Sequence, residues 1–227
     1  MEKEKLIIMQ NYFLLFISII LVNNFVLAKF LGLCPFIGVS KRTKDAVGMG
    51  FAVVFVMTMA SAVTWVVNRY FLVGYEENVF YLIFGKAKGL DPSQFDFQFL
   101  KTVVFILVIA TLVQIVEMFL MKMVPPLYES LGIYLPLITT NCAVMGVALL
   151  NAQDFGMLAS TSGSFISTLV QGFGGGVGFL LVLLLMSGIR ERLDKIPVPS
   201  AMKGVPIAFI CAGLMALAFM GFAGIGQ

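Results

Sequence analysis

The chain has 227 residues, of which 60% are hydrophobic and 12% are charged, and its mean hydropathy is +1.01. Soluble domains are about half apolar and about a quarter charged, so this composition excludes a soluble enzyme or binding module. The formal net charge of +3 is too small to indicate a nucleic-acid partner. The sequence therefore indicates an integral membrane protein whose surroundings are a lipid bilayer.

Apolar runs recur along the chain, and a run of about 20 residues crosses a hydrocarbon core of about 30 Å as a helix. A spanning segment must satisfy its own backbone hydrogen bonds, which favours an all-α bundle, and the runs are too uniformly apolar for barrel strands. We predict a single membrane domain over residues 1–227 with an uncleaved first span. The predicted spans are Tyr12–Ala28, Ala46–Val67, Phe99–Met121, Leu127–Leu150, Phe165–Ile189 and Val205–Phe222.

Two short patterns each occur twice, in the same order. The pattern Cys-x-x-x-Gly-Val begins at Cys34 and Cys142, and Gly-x-Gly-Phe begins at Gly48 and Gly176. The patterns match residues 6–121 with residues 123–225, and because each half holds three spans, the second half enters the membrane from the opposite side. We therefore predict six transmembrane helices in two inverted three-helix repeats, with the two cysteines close together in space.

The first and fourth spans are predicted to be broken helices. The apolar run of residues 6–39 is too long for one crossing and too short for two, so we expect Lys29 to Gly38 to be unwound or re-entrant. The fourth span contains Pro136 and a polar Thr-Thr-Asn run immediately before Cys142. Discontinuous helices in matching positions of two halves are typical of a binding site near the membrane midplane.

Cys34 and Cys142 are the candidate metal ligands, because thiolates favour iron–sulfur clusters, zinc and copper(I). Two thiolates complete neither a tetrahedral zinc site nor a four-thiolate cluster, and the chain has no His. A partner must then supply the remaining ligands. Two alternatives stay open, namely cysteines that only fill space between helices and a disulfide between them. Cys211 lies in an ordinary apolar stretch and is predicted to be a core residue.

Two charged residues lie within apolar stretches. Lys29 precedes Cys34, and a charge at membrane depth is functional by default, here by stabilising a negatively charged cluster and raising its potential. Glu117, with Gln114 nearby, stands about one turn from the end of its span at Lys122, which favours an interfacial position. We predict no chemistry for the polar loop of residues 73–98.

The glycine run of residues 172–178 does not fit the spacing of a nucleotide-binding loop. Small residues four apart let a neighbouring helix approach closely, so we predict packing positions at Gly172 with Gly176 and at Gly174 with Gly178. Lys and Arg are more numerous on the predicted face that holds Lys41 and Arg190 than on the other. The charge bias predicts that this face is cytoplasmic and that both termini lie outside.

Residues 22–41, VNNFVLAKFLGLCPFIGVSK, and residues 135–144, LPLITTNCAV, resemble the A subunits of bacterial Rnf complexes. These complexes are ion-translocating ferredoxin:NAD oxidoreductases, and their A subunits belong to the Rnf/Nqr membrane-subunit family. Further resemblance comes from residues 189–193, IRERL, and 212–222, AGLMALAFMGF, so that it covers nearly all of the chain. The loop of residues 73–98 is longer than the family pattern.

The resemblance implies that the chain and a homologous, oppositely oriented E-like subunit hold one [2Fe-2S] cluster between them. Each subunit would give two cysteines, here Cys34 and Cys142. It also implies an electron relay across the bacterial cytoplasmic (inner) membrane, between ferredoxin- and NAD-linked subunits of the same complex. One alternative is the equivalent subunit of the sodium-translocating NADH:quinone reductase. Another is a secondary transporter with inverted repeats, which would carry convergent polar side chains at the midplane.

Overall fold

The computed structural model describes residues 12–72, 98–123, 137–138, 140–154, 161–197, 199 and 202–222, and every regular element within them is helical. The helices are α1 (Tyr12–Val22), α2 (Leu33–Val39), α3 (Thr43–Leu72), α4 (Lys101–Met123), α5 (Cys142–Asp154), α6 (Thr161–Leu193) and α7 (Val205–Met220). A short 3-10 turn, Gln98–Leu100, precedes α4. Helices α1 and α3 each end in a π-helical turn, Ser18–Val22 and Asn68–Leu72.

Among the described helices, three are long and apolar enough to cross a membrane, and these spans are Thr43–Leu72, Lys101–Met118 and Gly163–Leu193. They overlap the second, third and fifth predicted spans. Helices α1 and α7 are apolar but shorter. The described residues therefore form an all-α protein with several apolar helices, as expected for a multi-pass membrane protein.

Helices α3 and α6 form the central pair, and glycines of α6 allow their close approach. A Cβ atom added at Gly172 would lie 2.7 Å from Ser61 Cβ, and one added at Gly176 would lie 2.6 Å from Val54 Cα. Because later residues of α6 meet earlier residues of α3, the two helices are antiparallel. The predicted packing role of Gly172 and Gly176 is confirmed.

The other glycine pair of α6 faces α1. A Cβ atom at Gly174 would lie 3.2 Å from the Phe16 ring, and one at Gly178 would lie 3.3 Å from Ile20 Cα. Two glycine pairs, offset by two residues along one helix, thus admit α3 on one side and α1 on another. This arrangement confirms the packing predicted for Gly174 and Gly178 and leaves α6 as the helix around which the others assemble.

The first predicted span is interrupted, but at a different place from the one expected. Helix α1 ends at Val22, and the backbone forms turns through residues 23–32. Helix α2, Leu33–Val39, occupies most of the segment that we predicted to be unwound. The prediction of an unwound piece from Lys29 to Gly38 is therefore wrong in its bounds, because the break begins at Asn23.

The side chain of Asn24 explains the position of this break. Its Oδ1 accepts hydrogen bonds from the backbone N–H groups of Val26 at 3.0 Å and Leu27 at 3.4 Å. Its Nδ2 donates to the carbonyl oxygens of Ile20 at 2.9 Å and Gly178 at 3.0 Å. An asparagine that bonds nearby backbone groups offers the chain an alternative to the helix, and the bond to Gly178 fixes that turn against α6.

The fourth predicted span is described only in part. Residues 127–136 and 139 lie outside the described residues, and α5 begins at Cys142. The loop predicted over residues 73–98 also lies outside them, apart from Gln98. The sixth predicted span corresponds to α7, Val205–Met220.

Candidate metal centre

Cys34 lies in the first turn of α2, and its side chain is exposed on the surface of the folded chain. The helix begins here because Gly32, the residue before it, has a left-handed backbone with a φ of 79°. Such a φ suits glycine, which has no Cβ to collide with the following carbonyl oxygen. Gly32 also lies in a crowded place, since a Cβ atom there would be 2.7 Å from Asn141 Oδ1.

Cys142 is the first residue of α5, and its side chain is also exposed. Asn141, directly before it, is buried, and its Oδ1 accepts a hydrogen bond from the backbone N–H of Ala143 at 3.0 Å. Asparagine is among the preferred residues at the start of a helix, because its side chain satisfies an N–H that has no partner within the helix. Asn141 thus fixes where α5 begins and where Cys142 lies.

The segments that carry the two cysteines touch each other. The position of a Cβ at Gly32 is within 3.2 Å of Ala143 Cβ as well as near Asn141, and a Cβ at Gly146 would be 2.6 Å from Leu31 Cδ1. Residues just before Cys34 therefore pack against the residues on both sides of Cys142. The structure brings the two predicted ligand segments together and leaves both thiols on the outer surface, where packing inside this chain does not explain them.

These thiols are an incomplete set of metal ligands. In the part of the chain that the structure describes, no group of three or more His, Cys, Asp or Glu residues is placed to hold a metal ion. The donor chemistry suits an iron–sulfur cluster, because its iron ions are held by cysteine thiolates, but two more ligands are needed. Exposure of both cysteines allows a second chain to provide them.

Arg190, near the end of α6, contacts the helix that carries Cys34. Its Nη1 donates hydrogen bonds to the carbonyl oxygen of Ile37 at 2.6 Å and to Ser40 Oγ at 2.9 Å. From the sequence we interpreted Arg190 only as a topology charge. Its signal was an arginine directly followed by Glu191 at the end of a long apolar run, a position where cations satisfy free helix carbonyls.

Glu191 acts on the next helix in the same way. Its carboxylate accepts hydrogen bonds from the backbone N–H of Thr43, at 3.0 Å, and from the Thr43 hydroxyl. A carboxylate at the start of a helix satisfies a free N–H and interacts favourably with the helix dipole. Arg190 and Glu191 therefore hold both sides of the turn between α2 and α3 with one pair of adjacent side chains.

The remaining candidates are more distant from this centre or differ in environment. Lys29 is exposed, and its Nζ lies 5.4 Å from the centre of the Phe25 ring, a cation–π contact. Glu117 is half-buried on α4, and Gln114 is exposed there. Cys211 is half-buried on α7 and packs against the hydrophobic core, as predicted for it.

Comparison with known proteins places the chain in a family. Residues 12–226 match the family described as "Rnf-Nqr subunit, membrane protein". The chain belongs to the Rnf-Nqr membrane-subunit family. The match includes both cysteine motifs and helices α1 to α7, so it concerns the whole described part of this Rnf-Nqr protein.

Curated relatives agree with this membership, and each is named as the A subunit of a complex. The Rnf-Nqr protein is 54% identical over 217 residues to that of the ion-translocating oxidoreductase complex of Syntrophotalea carbinolica, covering 96% of this chain and 98% of the relative. It is 52% identical over 208 residues to that of the Na(+)-translocating ferredoxin:NAD(+) oxidoreductase complex of Acetobacterium woodii, covering 92% and 94%. A relative from the ion-translocating oxidoreductase complex of Azoarcus is 49% identical over 217 residues, covering 96% and 98%.

Proposed function

We propose that this chain is a membrane subunit of an ion-translocating electron-transport complex and that it holds half of an intramembrane [2Fe-2S] cluster. Cys34 and Cys142 would be its ligands, and a homologous, oppositely oriented E-like subunit would give two more cysteines. The names of the relatives support the class of complex, since they are subunits of ion-translocating oxidoreductases. The single observation that carries the site is the pair of exposed thiols on two segments that touch.

Three features of the described residues support a shared cluster over a packing role. Both cysteines lie in the first turn of a helix, so their Cα positions are set by regular backbone. Each start is fixed by a neighbour, Gly32 for Cys34 and Asn141 for Cys142. The thiols point away from the core, where a second protein can reach them. Residues that hold a metal ligand in place are as necessary to a metal site as the ligand itself.

The repeated cysteine pattern supports an arrangement of six spans in two inverted halves, residues 6–121 and 123–225. In this arrangement the ligand segments meet near the midplane of the bacterial inner membrane, with both termini on the outer side. The contact of Gly32 and Leu31 with residues 141–146 agrees with such a meeting. Matching broken elements in two inverted halves commonly form a site at the midplane.

The bound cluster would supply one-electron transfer, between ferredoxin- and NAD-linked subunits on either side. The chain would contribute two thiolates and exclude water from the inner side of the centre. Arg190 would fix the orientation of the helix that carries Cys34, and the exposed ammonium of Lys29, five residues earlier, would add positive charge near the thiolates. Such charges outside the ligand shell tune the reduction potential of a cluster.

The experiment is iron analysis and electron paramagnetic resonance of the purified complex after dithionite reduction. We compare the wild type with Cys34→Ser and Cys142→Ser, and we use Cys211→Ser as the matched control because Cys211 packs against the core. Loss of the same signal and the same iron in both ligand variants, with an assembled complex and an unchanged control, is expected. Assembled ligand variants that keep all iron and every signal would contradict the proposal and leave the cysteines as surface thiols without a redox role.

A second arrangement is the equivalent subunit of a sodium-translocating NADH:quinone reductase. The same cysteines would serve there, so the iron measurement does not separate the two complexes. Electron-transfer assays of the purified complex do so, with reduced ferredoxin and NAD in one case and NADH and a quinone in the other. The names of the relatives favour the ferredoxin-linked complex.

A further inference from the structure

Four buried polar side chains form a group in the interior between α3, α5 and α6, far along these helices from Cys34. They are Ser61 on α3, Asn151 on α5, and Thr168 and Gln171 on α6, which we call the interior polar cluster. None is more than 7% exposed, and Thr168 is completely buried. Polar groups enclosed among membrane-spanning helices are costly, and by default they indicate a function.

Direct contacts join α3 to α5 and α6 at this level. Asn151 Nδ2 donates a hydrogen bond to Ser61 Oγ at 3.0 Å. The same hydroxyl is the nearest atom to the position of a Cβ at Gly172. Gln171 directly precedes Gly172, and Thr168 lies one turn earlier on the same helix. The hydroxyl of Ser61 therefore stands between the amide of Asn151 and the turn of α6 that carries the other two members.

A second contact aligns α5 with α6. A Cβ atom at Gly175 would lie 3.3 Å from Val147 Cγ2. Asn151 lies one turn after Val147, and Gln171 lies one turn before Gly175. Because the short connection of residues 155–160 makes the two helices antiparallel neighbours, these one-turn steps run in the same direction. Asn151 and Gln171 are consequently at the same level of the bundle.

Three oxygen atoms of the cluster have no hydrogen-bond partner among the described residues. They are Asn151 Oδ1, Thr168 Oγ1 and Gln171 Oε1. A buried polar atom left unpaired costs about 1–3 kcal/mol, so native proteins satisfy such atoms with water, ions or other groups. The two amide oxygens can only accept, and a hydroxyl oxygen has lone pairs free to accept. Oxygen acceptors that converge without donors suit a hard cation.

The charge of the surroundings limits which cation can bind. The buried polar and charged residues of the described chain include no Asp or Glu, and the buried charged side chains are Arg69 and Arg190. Divalent cations are usually bound by carboxylates, whereas neutral oxygen dipoles can balance a single positive charge. We propose that the interior polar cluster is a binding site for a small monovalent cation of the size of Na⁺. This site is separate from the cysteines and does not depend on the iron–sulfur proposal.

The test measures equilibrium binding of radioactive Na⁺ to the purified complex. The wild type is compared with Thr168→Val, which removes one oxygen at nearly constant volume, and with Thr168→Ser, which restores it. Ions held by other subunits cancel, because the complexes differ at one residue. Thr58→Val is the matched control, since the Thr58 hydroxyl donates to the Val54 carbonyl oxygen at 2.7 Å and lies outside the cluster.

We expect Thr168→Val to lose one equivalent of bound Na⁺ or to weaken its half-saturation about tenfold, a change of about 1.4 kcal/mol. Thr168→Ser and Thr58→Val should bind as the wild type does. Equal binding by the wild type and an assembled Thr168→Val complex would overturn the proposal and leave the cluster as a site for water alone. If Thr168→Val does not assemble, Gln171→Met removes a different oxygen, and the same two outcomes decide. A complex that keeps its cluster signal but shows no Na⁺ effect would refute this site and not the cysteine site.

Discussion

The guanidinium of Arg190 donates a hydrogen bond of 2.6 Å to the carbonyl oxygen of Ile37 and so joins the end of α6 to the helix that carries Cys34. The last carbonyl groups of a helix have no partner within that helix, and a cation is well suited to satisfy them. Helix α2 has only seven residues, Leu33–Val39, so its own hydrogen bonds do little to fix its direction. The orientation of Cys34 therefore depends on a side chain that is distant in sequence.

Replacing Arg190 by Met should destabilise the complex and disturb the cysteine centre. The change removes the hydrogen bonds to Ile37 and Ser40 and leaves two acceptors without a donor, which costs about 1.5–3 kcal/mol when the lost donor is charged. Arg190→Lys should lie between this variant and the wild type, because it retains the charge and loses the planar fork. We expect a lower unfolding midpoint and a shifted potential of the dithionite-reducible signal. Arg192→Met, at an exposed position of the same helix, is the control, and equal effects of the two Met variants would contradict the assignment.

Gly32→Ala should reduce the iron content of the complex, whereas Gly38→Ala should leave it unchanged. At Gly32 the φ of 79° costs an L-residue about 1–2 kcal/mol, and the new Cβ would lie 2.7 Å from Asn141 Oδ1. At Gly38 nothing lies within 4 Å of an added Cβ, and the residue is in regular helix. Iron per complex and the yield of assembled complex are measured for both. A loss of iron with Gly38→Ala would show that this glycine of the repeated pattern serves a partner contact.

Asn141→Ala should destabilise the start of α5 by about 1 kcal/mol, the usual effect of losing a capping side chain. The hydrogen bond from the Ala143 N–H to Asn141 Oδ1 is lost, so Cys142 should be held less firmly. Asn141→Ser should restore much of this stability, because serine caps helices well. The readouts are the unfolding midpoint and the line width of the cluster signal. Asn23→Ala, at an exposed asparagine, serves as the control, and a similar loss there would argue against a capping effect.

Gly176→Ala should destabilise the α3–α6 pair, and Gly188→Ala, on the same helix, should not. The added methyl group at Gly176 meets the backbone Cα of Val54 at 2.6 Å, and backbone yields less readily than the end of a side chain. Overpacking of this kind typically costs about 1–3 kcal/mol. At Gly188 an added Cβ has nothing within 4 Å. Unfolding midpoints of the two variants decide, and similar values would show that α3 and α6 can separate without penalty.

The sequence permitted some of these features to be predicted, and the exceptions have physical reasons. Spacing alone identified Gly172 and Gly176, because residues four apart share one face of a helix. The break in the first span was misplaced, because it depends on the Asn24 bond to the Gly178 carbonyl, across a separation of 154 residues. The interior polar cluster was missed for a similar reason. Its members come from three helices, and each looks like an isolated polar residue in an apolar run until the helices pack.

The exposed position of Cys34 and Cys142 separates the folding of this chain from the arrival of a metal. In a zinc finger the ligands lie at the centre of the fold, and the apo-protein is unfolded. Here the core is built from side chains such as Phe36, Met57 and Phe179, and neither ligand thiol belongs to it. The chain can therefore reach its final shape in the membrane first, and metal insertion can wait for assembly of the complex.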